Sequence, residues 1–283
     1  MELNNAVILF IIGLFPGFIL IISTAFIYKR FRFNRSALAL ASSFSSLILS
    51  IISLIFFFSV DFIEISDFLS VFVLSTDHLL SVVKGVTLML CLYIGTIISH
   101  IVGNSLHRMA NAYPSRVETI KALVFAPIVE ELMFRIIPFL TLPAKDLSTL
   151  WKVVFGGSII FSLGHAHHAI SRFRNGYSFI ENLIETLGQV VYTYLFSLLS
   201  WSFFLYYKSG FCAIAVHSFC NFLGLPDVME SFSLVSWRKW ISILANIFGL
   251  VLFLWVFISD VCSELPAMYS VAKIVDSIES VSL

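Results

Sequence analysis

The stretch that decides the fold is ALVFAPIVEELMFRIIPFLTL, residues 122–142, an apolar segment with three charges near its middle. On the membrane-insertion scale each charge at a helix centre costs about 2.5–3.5 kcal/mol, so Glu130, Glu131 and Arg135 together cost roughly 8–10 kcal/mol. The twelve Leu, Ile, Val and Phe residues of the segment return only about 4–7 kcal/mol. This segment is therefore tolerable in a membrane only where its charges face protein or water and pair with one another.

The composition of the whole chain indicates a membrane protein. Of its 283 residues, 59% are apolar and only 12% are charged, and the mean hydropathy is +0.98. A soluble domain of this size needs more polar residues to cover its surface. The balance of 17 basic and 17 acidic residues gives no sign of nucleic-acid binding. We predict an all-α, polytopic membrane helical bundle, and we exclude a soluble enzyme, a disordered chain and a fibrous repeat.

Apolar runs of about 20 residues, the length that spans a bilayer, predict about eight transmembrane helices. The seventh predicted span is short, so we expect it to be broken or tilted. The mixed stretch 61–78 is expected to lie along the membrane interface. The predicted spans are 6–28, 36–60, 79–103, 119–142, 151–170, 182–206, 211–225 and 240–260.

The loops between these spans predict an orientation. Basic residues follow the first, third and fifth spans, which by the positive-inside rule places those loops in the cytosol and the N-terminus outside or in the lumen. The first span has no basic residues before it and no small-residue cleavage site, so we expect it to stay as an anchor.

Helix geometry places the three charges of the 122–142 segment on two different faces of the helix. Glu131 and Arg135 are four residues apart and share a helix face, where they can form an ion pair. Glu130 points about 100° away and is left without this partner. Such an intramembrane carboxylate is a candidate functional residue; the alternative is a cluster that only holds helices together. Pro127 and Pro138 bracket the cluster and could bend the helix.

Two other apolar spans carry unusual polar groups. The string FSLGHAHH contains His165, and AVHSFCNF places His217 and Asn221 four residues apart on one helix face. A carboxylate in an apolar cavity suits a general base, and a neutral imidazole can orient a water molecule. A second histidine with an asparagine amide supplies donors for an oxyanion. Together these groups predict amide hydrolysis by an activated water.

Two rival interpretations of these residues stay open. The glutamates and histidines could bind zinc, although the chain has no HExxH motif and His165, His167 and His168 are too close together to act as three facial ligands without a turn. Buried Glu and His residues also relay protons in transporters, although we find no internal repeat of the kind that transporters show. We predict no metal and no cofactor.

Three motifs in order carry a family resemblance. EELMFR (residues 130–135) matches EExxxR, FSLGH (161–165) matches FxxxH, and HSFCN (217–221) matches HxxxN. Their order, spacing and membrane setting resemble the CAAX protease and bacteriocin-processing superfamily of intramembrane glutamate proteases. The longer strings FSLGHAHH, ETLGQVVYTYLFS and HSFCNFLGLPD resemble its eukaryotic members.

The resemblance implies an activity and its setting. It implies a multi-pass endopeptidase of the endoplasmic reticulum membrane whose active site is reached from the cytosol. Its substrates would be farnesylated or geranylgeranylated Cys-a-a-X proteins, such as small GTPases, from which it would remove the C-terminal tripeptide. Its partners would be these proteins and membrane lipid, with no nucleic acid. We therefore expect a single integral membrane domain over residues 1–283, with a catalytic core at 115–228.

The resemblance also implies a role for each motif residue. Glu130 and His165 would activate the water, and His217 and Asn221 would stabilise the oxyanion. Glu131 and Arg135 match the remaining motif positions, and we expect them to orient the site. His167 and His168 match the eukaryotic pattern, but the sequence gives them no role. A non-catalytic scaffold of the same superfamily is the alternative. The assignment requires the four catalytic and oxyanion residues to converge around one hydrated pocket in the lipid layer.

Overall fold

The computed structural model describes residues 35–59, 63–105, 115–141, 147–174, 176–226 and 228–262. Every regular element within these ranges is helical, which confirms the predicted all-α fold. The predicted first span, 6–28, lies outside the described residues.

We number the helices of the described ranges α1 to α10. A 3-10 turn, His165–His167, joins α5 to α6, and a π-helical turn, Phe257–Cys262, continues α10. The bounds are α1 Arg35–Ser59, α2 Ile65–Ser70, α3 Thr76–Val102, α4 residues 116–140, α5 Leu147–Gly164, α6 His168–Arg174, α7 Phe179–Tyr207, α8 Gly210–Leu223, α9 Val228–Ser233 and α10 Ser236–Val256.

Five segments of the described chain are long and apolar enough to cross a membrane, which confirms a polytopic helical protein. A sixth apolar segment, Thr149–Gly164, is shorter. The predicted number of eight transmembrane spans stays a prediction. The five segments are Leu40–Ser59, Thr76–Val102, Phe179–Tyr207, Gly210–Ser233 and Ser236–Val261.

The fourth of these segments is interrupted near the end of the predicted span 211–225, and the expectation that this span is itself broken or tilted stays a prediction. Helix α8 ends at Leu223, and Gly224 takes a φ of 73°, a left-handed conformation that glycine adopts without the steric cost that a Cβ would add. The chain becomes helical again at Val228.

Helix α4 contains two π-helical turns, each placed just before a proline. The turns are Lys121–Phe125 and Leu132–Ile136, and Pro127 and Pro138 follow them at the same offset. A proline lacks an N–H, and its ring clashes with the carbonyl four residues earlier. The extra residue in a π turn changes which carbonyls face the proline, so the helix can continue through it. The α-helical pieces are Arg116–Ile120, Ala126–Glu131 and Ile137–Leu140.

The chain forms two compact units. Of the described residues, those up to Val71 and those from Ile128 to Ser202 form the first, and those from Phe72 to Pro127 and from Phe203 onward form the second. In the first unit, α5 packs against the second π turn of α4. In the second unit, α3 packs against both α8 and α10. The predicted boundaries of a single domain and of its catalytic core stay predictions.

Glycines set how closely the helices of the second unit approach. A Cβ on Gly95 of α3 would overlap the backbone of Asn246 on α10. A Cβ on Gly249 of α10 would lie 2.5 Å from the carbonyl oxygen of Cys91. Small residues at these positions let two membrane helices pack backbone to backbone, which is how such helices gain van der Waals contact in lipid.

We predict that Gly95→Ala destabilises the protein by about 1–3 kcal/mol, because the added methyl group must push α3 and α10 apart. Gly188→Ala is the matched control, since a Cβ on Gly188 of α7 meets no atom within 4 Å. The control is expected to be neutral or to stabilise by up to about 1 kcal/mol through helix propensity. The measurement is the thermal unfolding midpoint of each variant in detergent. Equal midpoints for the two variants would contradict this packing.

Candidate active site

The predicted ion pair forms in the interior of the first unit. Arg135 Nη1 lies 3.5 Å from Glu131 Oε1, and both side chains are fully buried. The pair has the four-residue spacing that brings side chains together on one helix face. The structure thus confirms that the two residues share a face of α4.

Serines from two neighbouring helices complete this buried cluster. Arg135 Nη2 donates to Ser197 Oγ at 2.8 Å, and Ser197 in turn donates to Ser158 at 2.9 Å. Ser200 Oγ donates to Glu131 Oε2 at 2.8 Å. The network joins α4 to α5 and α7, so the two charges of the pair hold three helices together. The sequence analysis missed these serines, although their place within apolar runs is a signal that could have found them.

Phe161 links the EExxxR and FxxxH motifs. Its ring centroid lies 4.2 Å from the guanidinium carbon of Arg135 and 4.7 Å from the imidazole of His165. It also makes an edge contact with Phe134 at 5.2 Å. An aromatic face attracts a cation, and the attraction strengthens where water is excluded. The phenylalanine of FxxxH therefore positions both the arginine and the histidine.

The position of His165 determines which of its nitrogens carries the proton. The side chain is partly exposed and begins the 3-10 turn after α5. Its Nδ1 lies 2.9 Å from the carbonyl oxygen of Phe161. Because a carbonyl oxygen only accepts, Nδ1 must donate, and in the neutral ring Nε2 is then an acceptor. An acceptor at Nε2 is what a water-orienting histidine needs.

Glu130 and Glu131 are adjacent but differ in their surroundings. Glu131 is fully buried, and both of its oxygens face partners, whereas Glu130 is partly exposed. Glu130 also interacts electrostatically with Arg135. The charge of Arg135 therefore acts on the carboxylates of both Glu130 and Glu131. The angle of about 100° between these two side chains around the helix did not predict this coupling.

In the second unit, Asn221 completes the hydrogen bonding of α4. Its Nδ2 donates to the carbonyl oxygen of Ala122 at 2.8 Å. The N–H of Ala126 bonds to the carbonyl of Lys121, and Pro127 has no N–H. The backbone of residues 126 and 127 thus gives no donor to the carbonyl of Ala122, and this partly buried carbonyl needs a partner from elsewhere. Asn221 supplies the donor, a role that the sequence did not reveal.

His217 and Asn221 lie four residues apart on α8, so they share a face of that helix. His217 is buried, with 3% of its surface exposed, and Asn221 is partly exposed. The helix begins at Gly210, where the side chain of Ser209 accepts from the N–H of Cys212. The cap fixes where α8 starts.

The predicted site residues are distributed between the two units. The first unit holds Glu130 and groups Glu131, Arg135 and His165 around Phe161, and the second holds the His217 and Asn221 pair. Their convergence around one pocket stays a prediction. The His168 ring lies 6.2 Å from the His165 ring, and the side chain of His167 lies outside the described residues.

No metal-binding cluster is formed by the described residues of either unit, where we find no group of three or more His, Cys, Asp or Glu side chains that could hold one ion. A mechanism without a metal ion stays a prediction.

We predict that Glu131→Leu or Arg135→Met alone destabilises the protein by about 3–5 kcal/mol, because each leaves an unpaired buried charge. The double variant is expected to recover most of this loss, since two apolar side chains can replace a buried pair. Unfolding midpoints of the four proteins in the double-mutant cycle measure the coupling. Costs that simply add would show that the pair contributes nothing to the fold.

The middle of the chain is similar to a known protease family. Residues 114–223 match the family model described as Type II CAAX prenyl endopeptidase Rce1-like. The three motifs and all six predicted site residues lie within this match.

Individual relatives carry the same description. The chain is 28% identical to the CAAX prenyl protease 2 of Saccharomyces cerevisiae over 50% of this chain and 49% of the relative. It is 34% identical to that of Homo sapiens, over 37% and 32%, and 31% identical to that of Arabidopsis thaliana, over 40% and 36%. The chain thus matches about half or less of the length of these curated relatives. No solved structure matches it significantly. The matches confirm, over the middle of the chain, the similarity to CAAX prenyl proteases that the three motifs predicted.

Proposed function

We propose that this protein is an intramembrane endopeptidase that removes the C-terminal tripeptide from prenylated Cys-a-a-X proteins. The relatives' printed names, CAAX prenyl protease 2, support this class of substrate. The observation that carries the proposal is the contrast between the two glutamates of EExxxR. Glu131 is sealed in an ion pair, whereas Glu130 is accessible beside it.

Glu130 and His165 perform the water activation in this proposal. The carboxylate of Glu130 takes a proton from the water, while Nε2 of His165 accepts a hydrogen bond from the same water and orients it. The hydroxide oxygen bonds to the scissile carbonyl carbon, and the carbonyl becomes an oxyanion. When the C–N bond breaks, Glu130 returns the proton to the leaving amine. The bond from His165 Nδ1 to Phe161 supports this role, since it leaves Nε2 as the acceptor.

His217 and Asn221 stabilise the oxyanion. The amide of Asn221 has two N–H groups, and the bond to Ala122 uses one of them. That bond fixes the orientation of the amide. A donor held in place before the reaction stabilises developing charge without reorganisation.

The substrate explains why the enzyme lies in a membrane. Each buried CH₂ of a prenyl chain contributes about 0.8 kcal/mol to membrane partitioning, so a farnesylated or geranylgeranylated cysteine brings the scissile bond to the bilayer. The proposed setting is the endoplasmic reticulum membrane, with access from the cytosol, where small GTPases and similar clients would arrive.

We predict that Glu130→Gln lowers kcat by about 10²–10⁴-fold, because glutamine keeps the shape of the side chain but cannot take a proton. The measurement is tripeptide release from a farnesylated Cys-a-a-X peptide by purified protein in detergent or liposomes, followed by mass spectrometry. Glu185→Gln is the matched control, since Glu185 is an exposed carboxylate on α7 and its loss is expected to leave kcat unchanged.

The same assay separates the rival functions. A non-catalytic scaffold releases no tripeptide in the wild type, and a Glu130→Gln variant with full activity would remove Glu130 as the base. Ion flux into proteoliposomes without peptide cleavage would favour a transporter. Inhibition by 1,10-phenanthroline with recovery on added zinc would replace the glutamate mechanism with a metal mechanism.

We predict that His217→Ala and Asn221→Ala each lower kcat by about 10²–10³-fold, the effect of losing one oxyanion donor. KM is expected to change little, because the contact strengthens only in the transition state. Steady-state kinetics on the same farnesylated peptide separate kcat from KM. The opposite pattern, a raised KM with unchanged kcat, would assign these residues to substrate binding. It would also argue against the convergence of the four catalytic and oxyanion residues.

A further inference from the structure

Arg172 is held by three neutral side chains of α7. Its Nε donates to Asn182 Oδ1 at 3.0 Å, its Nη1 to Gln189 Oε1 at 3.1 Å and its Nη2 to Thr186 Oγ1 at 2.7 Å. Asn182 is itself buried and donates to the carbonyl of Ala169 at 3.0 Å. The guanidinium is partly buried and fixed in one orientation.

The charge of this arginine is not neutralised by its neighbours. Each of its three partners is an amide or hydroxyl oxygen, and no carboxylate of the described residues pairs with it. The fully buried Arg135 of this unit has Glu131 for this purpose. A partly buried cation without a counterion attracts an anionic group.

The guanidinium also keeps donors for such a group. Arginine has five N–H groups, of which two belong to each terminal nitrogen. The three bonds to α7 use one hydrogen on each nitrogen, so one hydrogen on Nη1 and one on Nη2 are left. N–H groups on the two terminal nitrogens of an arginine are the donors with which it binds a carboxylate.

Arg172 lies in line with His165. In a 3-10 turn, residues three apart are aligned, and in an α-helix residues four apart share a face. His165, His168 and Arg172 have these spacings, and the first two rings are 6.2 Å apart. The rise per residue puts Arg172 roughly 10–12 Å along the axis from His165.

This distance equals the length of the proposed leaving peptide. Three residues in extended conformation span about 10–11 Å. A Cys-a-a-X substrate with its scissile carbonyl at His165 and its chain extended along α6 would bring its terminal carboxylate to Arg172. The substrate class is defined by the position of its C-terminus, so a contact with that terminus would make the cleavage select the last three residues.

We propose that Arg172 binds the C-terminal carboxylate of the substrate and thereby sets the length of the tripeptide that is released. This inference rests on the proposed function. Asn182, Thr186 and Gln189 are positioning residues in it, because they hold the guanidinium fork and do not touch the substrate.

The test compares two farnesylated Cys-a-a-X peptides that differ only in ending as a free acid or as an amide. The wild type is expected to show a KM for the acid about 10- to 100-fold lower than for the amide, the range of a charged bidentate contact. Arg172→Gln is expected to raise the acid KM to the amide value and to leave kcat and the amide KM nearly unchanged. Arg172→Lys, which keeps the charge but loses the fork, is expected to fall between them.

The matched control is Arg238→Gln, which removes a cation near Trp237 on α10 and should keep the full preference for the acid. Because Arg172 also joins α6 to α7, an Arg172→Gln variant that slows both peptides equally would assign it a structural role only and overturn the inference. Equal KM values for the two peptides in the wild type would overturn it as well, while tripeptide release would leave the proposed function standing. Failure of the wild type to cleave either peptide would instead contradict the proposed function.

Discussion

The buried ion pair between Glu131 and Arg135 is the constraint on which the rest of the first unit depends. Two charges without water can be stable there only if each finds its partner and further hydrogen bonds. The structure supplies serines from α5 and α7 and the face of Phe161, while Nε and Nη1 of Arg135 find no hydrogen-bond partner among the described residues. The same contacts fix the end of α5, and His165 directly follows that end. The EExxxR motif therefore also determines how three helices pack.

A second constraint comes from the prolines of α4. Pro127 and Pro138 lie eleven residues apart (three turns of the helix), and a π turn precedes each. Because Pro127 has no N–H, the carbonyl of Ala122 accepts its hydrogen bond from the side chain of Asn221. Asn221 thus has a part in the architecture, and the proposed oxyanion contact depends on the amide orientation that this bond fixes. A helix defect and a motif residue are parts of one arrangement.

The proposed division of labour follows from burial and charge. Glu131 is sealed and stabilising, whereas Glu130 is accessible and suited to proton transfer. Arg135 is neutralised inside the bundle, whereas Arg172 is fixed by neutral groups and keeps its charge for a ligand. In each pair the residue types are the same, and their surroundings assign them different tasks. These differences in surroundings arise because a buried charge must be compensated by neighbouring groups, whereas an accessible charge is stable without a partner in the protein and can bind a substrate.

The sequence by itself determined the helical membrane fold, the pairing of Glu131 with Arg135 and the protease resemblance. Each follows from local rules: apolar length, four-residue spacing and motif order. Only the tertiary structure decided that Ser158, Ser197 and Ser200 complete the buried cluster, that the Phe161 ring packs on Arg135, and that Asn182, Thr186 and Gln189 hold Arg172. These contacts join residues that are distant in the chain or lie on different helices. No spacing rule predicts them, because helix rotation and packing choose which side chains meet.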